Sequence, residues 1–237
     1  PSLEEVLRGA LSPSVPNVHY IPPFRYPSDG GSARYLAKFV PKGRLPLNHE
    51  LVSVNPVSRQ LTFRNGGMAP YDALVSSVPL PELVRMIDGV PQRVLDAAGR
   101  LACSTCVLVN IGVDREDLSK AQMTYFYDED ICFTRIGFPH MLSPKNALPG
   151  TGNIQAEVYF SAKYKPFTGS PTDWIEPVIT DLRRCGILQD RDRILFRSAM
   201  LLKYANIIFD LERTEALAVV HAYLDELGIA YCGRYGE

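Results

Sequence analysis

Apolar and polar positions recur along this chain with two periods, and the changes of period mark its elements. Leu3, Val6, Leu7 and Leu11 fall at helical spacing and predict a short helix over 3–11. A proline-broken stretch, 13–27, leads into Gly30-Gly31. A second helical pattern follows, with Leu36, Phe39 and Val40 on its apolar face and a stop at Pro41. Residues 51–54 and 61–63 read as short strands joined through Asn55-Pro56-Val57-Ser58-Arg59-Gln60 into a β-hairpin, and Asn65-Gly66-Gly67 turns the chain again. The run 71–79 predicts a buried strand that ends at Pro79, and helices follow over 80–87 and 90–98.

In the second half, the long apolar run 101–113 predicts a core strand. Residues 123–127 and 131–138 predict an antiparallel pair linked by Asp128-Glu129-Asp130; 143–152 reads as a loop and 154–161 as another strand. Ile175, Val178, Ile179 and Leu182 share one face of a helix over 171–185, with Pro177 near its first turn and Gly186 as its stop. Residues 194–204 and 207–209 are strand-like. The most regular helix, 213–227, aligns Leu217, Val220, Leu224 and Leu227. No helix is expected over Gly233-Arg234-Tyr235-Gly236-Glu237. Strands and helices mix irregularly, with hairpins in the middle. That predicts an α+β fold: a mixed, largely antiparallel sheet covered by helices.

Composition narrows the class. At 237 residues, 46% hydrophobic and 22% charged, the chain can bury a core in one large domain or two small ones. A net charge of -1 gives no reason to expect nucleic acid or an anionic membrane surface. No apolar run reaches the roughly 20 residues a bilayer requires, so a cytoplasmic chain without a membrane span is expected. Five scattered cysteines suit a reducing compartment. Cys103 and Cys106 form the one C-x-x-C, but on a strand they point to opposite faces, and no metal site is expected. Position 1 is Pro rather than Met, so a longer chain is expected.

Candidate chemistry centres on the predicted strand pair. Tyr125 and Tyr127 share a face of one strand, and Phe133, Arg135 and Gly137 share a face of its partner. Tyrosines beside an arginine suit an anionic, ring-bearing ligand, since the guanidinium offers a fork to phosphate or carboxylate. The plainer alternative is an arginine lying over tyrosines at a sheet edge. Gly30-Gly31 before a helix lets the backbone approach a ligand closely, or simply makes a turn. The acids 128–130 are consecutive rather than alternating and read as a solvated turn, not a calcium loop. His221 reads as structural. No G-x-S-x-G, H-E-x-x-H or G-x-x-x-x-G-K-[ST] occurs, and no G-x-G-x-x-G follows a strand, so no complete dinucleotide-binding unit is present.

Several segments together resemble the flavin-containing amine oxidase superfamily, and within it UDP-galactopyranose mutase and protoporphyrinogen oxidase-like proteins. They are Tyr26-Pro27-x-x-Gly30-Gly31; the hairpin before Tyr71-Asp72-Ala73-Leu74-Val75-Ser76-Ser77-Val78-Pro79; and Tyr125-Phe126-x-Asp128-Glu129-x-x-x-Phe133-x-Arg135. Ser143-Pro144, Glu157-Val158, Tyr204 and Gly233-Arg234-Tyr235-Gly236 follow in the family's order. The resemblance implies the substrate-binding domain of an FAD-linked reductase-like fold, with residues 1–100 as part of the flavin domain and 101–237 as the substrate domain. It implies substrate contacts from Tyr125, Arg135, Tyr204 and Arg234, and cofactor contacts from Gly30, Gly31, Leu51 and Gly233. It assigns no catalytic residue.

The family's amino-terminal Rossmann half is absent, as is the helix after Gly236. These residues alone are therefore expected to hold FAD poorly and to be inactive, with the missing half as their partner. The mutase segment Y-G-Y-P-T-P reads Tyr204-Ala205-Asn206-Ile207-Ile208-Phe209 here. Three functions stay open: a mutase-like enzyme acting on a nucleotide sugar, in whose chemistry the reduced flavin attacks the sugar; an FAD-dependent oxidase or desaturase of an amine, porphyrin or polyene; and a non-enzymatic binding module.

Overall fold

A computed structural model describes residues 25–40 and 46–236, together with 3, 4, 7 and 11. The helix expected over 3–11, most of 13–27 and the stop at Pro41 fall largely outside the described residues. The elements run α1 (Gly31–Leu36), β1 (Leu51–Asn55), β2 (Gln60–Phe63), β3 (Met68–Pro70), β4 (Leu74–Ser76), α2 (Leu80–Met86), α3 (Gln92–Arg100) and β5 (Cys103–Val113). Then come β6 (Met123–Tyr125), β7 (Arg135–Gly137), α4 (Pro139–Leu142), β8 (Gly152–Phe160), α5 (Ile175–Arg184), β9 (Ile194–Ile207), α6 (Arg213–Glu226) and β10 (Ile229–Tyr231). The α+β expectation holds: five antiparallel strands form the main sheet, in the order β6-β7-β8-β5-β9.

One face of that sheet is dry. Buried Val107, Val109, Ile111 and Val113 of β5 alternate with less buried positions, as do Ile154, Ala156, Val158 and Phe160 of β8. This period of two turns all eight toward Val178, Ile179 and Leu182 of α5. The opposite face receives Arg135, Gln155, Glu157, Tyr159 and Asn110, and it is left largely open among the described residues.

A second core lies beside the first. Val54 of β1, Leu80, Leu83 and Val84 of α2, and Val94, Ala97 and Ala98 of α3 pack with Ala216, Val220 and Leu224 of α6 and Ile229 of β10. Helix α6 and β10 therefore pack back against β1, α2 and α3. The β1–β2 hairpin forms as expected because the Asn55 side chain caps its turn, accepting from the backbone of Val57 and Ser58.

Some expectations are corrected. The strand predicted over 71–79 shrinks to β4, which pairs in parallel with β10, a strand too short to show a period. The pair 123–127/131–138 shrinks to three residues on each side. Between them the chain bends, and Phe126 and Phe133 meet edge to face at 4.9 Å. Phe133 is therefore in the core and not on the face of Arg135. The two strands read over 194–209 are one continuous strand, β9. Helix α1 ends at Leu36 and buries nothing, so Leu36, Phe39 and Val40 form no packed face. Among the described residues no helix is long and apolar enough to cross a membrane.

Candidate functional site

The site begins with register. Tyr125 on β6 lies directly across from Arg135 on β7, and Arg135 lies directly across from Glu157 on β8. Cross-strand neighbours on one face are close enough to interact, so three short strands bring a phenol, a guanidinium and a carboxylate into a row. Arg135 donates both sides of its fork to Glu157, Nε at 2.9 Å and Nη2 at 2.5 Å, and Nη1 reaches the Tyr125 hydroxyl at 3.5 Å. Tyr159, two residues along β8, donates its hydroxyl to the same carboxylate at 2.5 Å. Asn206 of β9 donates to Tyr159 at 3.3 Å, and Arg234 donates to the Asn206 side chain at 2.9 Å. The chain Tyr125–Arg135–Glu157–Tyr159–Asn206–Arg234 thus runs along the open side of the sheet, with a cation near each end.

Two of these groups, Arg135 and Tyr159, are shifted by their surroundings. Burial works against the Arg135 charge, but the bonds to Glu157 and Tyr125 outweigh it and raise its pKa above the ordinary range. Burial, then the Glu157 carboxylate, push the Tyr159 phenol upward. At neutral pH the row therefore offers a charged Arg135 and a protonated Tyr159 hydroxyl.

Farther along the same sheet, Asn110 accepts from Gln155 at 3.0 Å at the floor of a cleft of about 620 Å³. Gly112, Leu195 and Phe196 line one part of it, and Tyr26 and Ser32 another. Gly30 and Gly31 enter α1 beside this cleft with φ of 73° and 61°. Both lie in the left-handed region, where a side chain costs about 1 kcal/mol or more per residue. Two consecutive glycines are thus required by backbone geometry.

The structure brings together only some of the residues proposed from sequence. Tyr125, Arg135 and Arg234 join one network. Tyr204 does not: its hydroxyl donates to Glu82 of α2, and its ring meets Tyr235 at 5.5 Å. Tyr127 lies outside β6 and is exposed. Leu51 sits at the start of β1 opposite Phe63, against the second core. Gly233 takes φ 82° beside Ser77.

Glu157, Tyr159 and Asn206 carry the network and were not singled out from sequence as site residues. Glu157 and Tyr159, two apart on the polar face of an alternating strand, were the available signal. Burial raises the Cys103 thiol and pushes Cys106 up to about 12, which disfavours the reactive thiolate at both positions of the C-x-x-C.

The arrangement has counterparts of known fold. No family model and no curated protein sequence matches the chain. Among solved structures, several share its fold. A crystal structure of reduced UDP-galactopyranose mutase superposes with a TM-score of 0.79 at 23% identity, covering 89% of this chain and 46% of its own. A structure from Exiguobacterium assigned as a protoporphyrinogen oxidase gives a TM-score of 0.54 at 14% identity, covering 73% and 38%. A fatty acid isomerase from P. acnes that produces CLA gives 0.57 at 10%, covering 80% and 43%. This chain spans less than half the length of each.

Proposed function

We propose that this chain forms the substrate-binding wall of a flavin-dependent enzyme acting on a nucleotide sugar. The single observation that carries the reading is the row joining Arg135 to Arg234 on the open face of the sheet. Two guanidinium groups, with the Tyr159 phenol between them and the Tyr125 phenol beyond Arg135, suit a diphosphate bearing rings at both ends.

In this reading residues 1–100, joined by α6 and β10, lie on the flavin side, and the five-stranded sheet lies on the substrate side. Gly30, Gly31, Leu51 and Gly233 offer backbone to the cofactor. The left-handed glycines beside the cleft fit a flat ligand approaching closely, whereas no glycine fingerprint for its pyrophosphate occurs in the sequence. When bound, FAD supplies the electron-transferring or nucleophilic centre, held chiefly by a Rossmann half beyond these residues. Tyr204, tied to Glu82, contributes to the substrate only by releasing that bond.

Titration of the chain with UDP and UDP-galactose tests the reading, followed by heat capacity scanning and by calorimetry. Ligand should raise the unfolding temperature, and Arg135→Ala and Arg234→Ala should each weaken binding about tenfold, the loss of one charge-assisted bond. Binding unchanged in both variants would remove the proposal.

A second reading, an oxidase or desaturase of an apolar amine, porphyrin or polyene, is favoured by exposed Phe196, Met200 and Leu202 on β9. It requires an apolar ligand, and not UDP, to protect the chain.

A further inference from the structure

The two arginines of the row differ in one respect. Arg234 is held by neutral acceptors, the Ala205 carbonyl and the Asn206 side chain, and no carboxylate pairs with it among the described residues. Arg135 is neutralised. Glu157 occupies the Nε and Nη2 positions of its fork, the two-point geometry that an anionic ligand would use. Tyr159 donates to Oε2 of the same carboxylate and steadies it there. Neither partner is fully buried: the Arg135 and Glu157 side chains keep 31% and 18% of their exposure, so the contact is within reach of a ligand on the open face.

Resting on the reading of Arg135 as an anion-binding group, we propose that Glu157 is an internal competitor that masks the Arg135 fork and sets the affinity of the site for anions. An incoming diphosphate meets the full charge of Arg234 and only the Nη1 edge of Arg135. To take the fork, it must displace a carboxylate fixed by three hydrogen bonds. The alternative role for Glu157 is a buttress that orients Arg135 for the ligand. The two roles predict opposite signs, because removing a mask strengthens binding and removing a buttress weakens it.

The test is calorimetric titration of the purified chain with UDP, using Glu157→Gln, Arg135→Ala and the double variant. Glutamine keeps the shape and one acceptor but removes the charge. Removal of a unit charge about 4 Å away, screened as in bulk water, is worth about fivefold, so Glu157→Gln should bind UDP at least about threefold more tightly than wild type. In the Arg135→Ala background the same change should give less than about a twofold gain, because the mask acts through that fork. Should Glu157→Gln fold poorly, Tyr159→Phe loosens the same carboxylate and should strengthen binding in the same direction by a smaller factor. Equal or weaker binding by both charge-loosened variants, with a wild type that does bind through Arg135, overturns the mask alone. UDP binding that Arg135→Ala leaves unchanged overturns the reading of the site, and the mask with it.

Discussion

Ser143 donates its hydroxyl to the Ser28 carbonyl at 2.6 Å, joining points 115 residues apart in the chain. Ser143 is buried, while Ser28 opens the segment that carries Gly30, Gly31 and α1. Since α1 buries nothing of its own, this bond fastens the glycine turn beside the cleft.

Ser143→Ala should therefore act locally. Loss of a hydrogen bond to a carbonyl costs about 1 kcal/mol. Hydrogen exchange over 28–36 should quicken several-fold while exchange in β5 and β8 stays unchanged. Uniform acceleration across the sheet would show that the bond supports the whole fold instead.

Gly152→Ala should act globally. A Cβ there would stand 2.6 Å from both the Arg115 carbonyl and Leu118 Cδ1, at the start of β8. Overpacking of this kind costs about 1–3 kcal/mol, and the backbone carbonyl leaves little room to relax. Urea unfolding should show a lower midpoint with an unchanged slope.

Acid should weaken the fold partly through Asp210. Bonds from Lys163, then from Tyr164, hold its carboxyl down from 3.8 to about 2. The folded group binds a proton less readily than the unfolded one. Its contribution is therefore fully present above about pH 4 and is lost as pH falls through about 2. Asp210→Asn should be less stable than wild type near neutrality, and the gap should close toward pH 2. A gap independent of pH in urea titrations would exclude this source of acid sensitivity.

Thiol labelling should follow burial. Cys232 is exposed, whereas burial pushes Cys106 and Cys132 up to about 12. Near pH 8 iodoacetamide should modify Cys232 within minutes and reach Cys106 and Cys132 only in denaturant. Mass mapping of the labelled peptides reads the order directly.

How much was legible depended on whether a feature was local. The β1–β2 hairpin, α2, α3, α5 and α6 follow from turn residues and apolar spacing within a dozen positions, and the structure places them where the pattern did. Arg135 and Tyr125 were legible as a pair because one tight connection separates them. Glu157 was not, since it comes 22 residues later. Only the pairing of β7 with β8 sets it against the guanidinium. Tyr204 illustrates the reverse. Its place in the chain suggested the substrate wall, but β9 shifts register between its pairings with Ser104 and Cys106, and the phenol reaches Glu82 instead.

By itself, then, the sequence determined the α+β class and the alternation of β8, because hydrophobic period acts between near neighbours. Tertiary structure alone decided that the last helix and strand complete the second core, that β4 and β10 run parallel, and that two arginines 99 positions apart join one row of hydrogen bonds. Those contacts depend on strand order and register, which are fixed only when distant segments bury their apolar faces together.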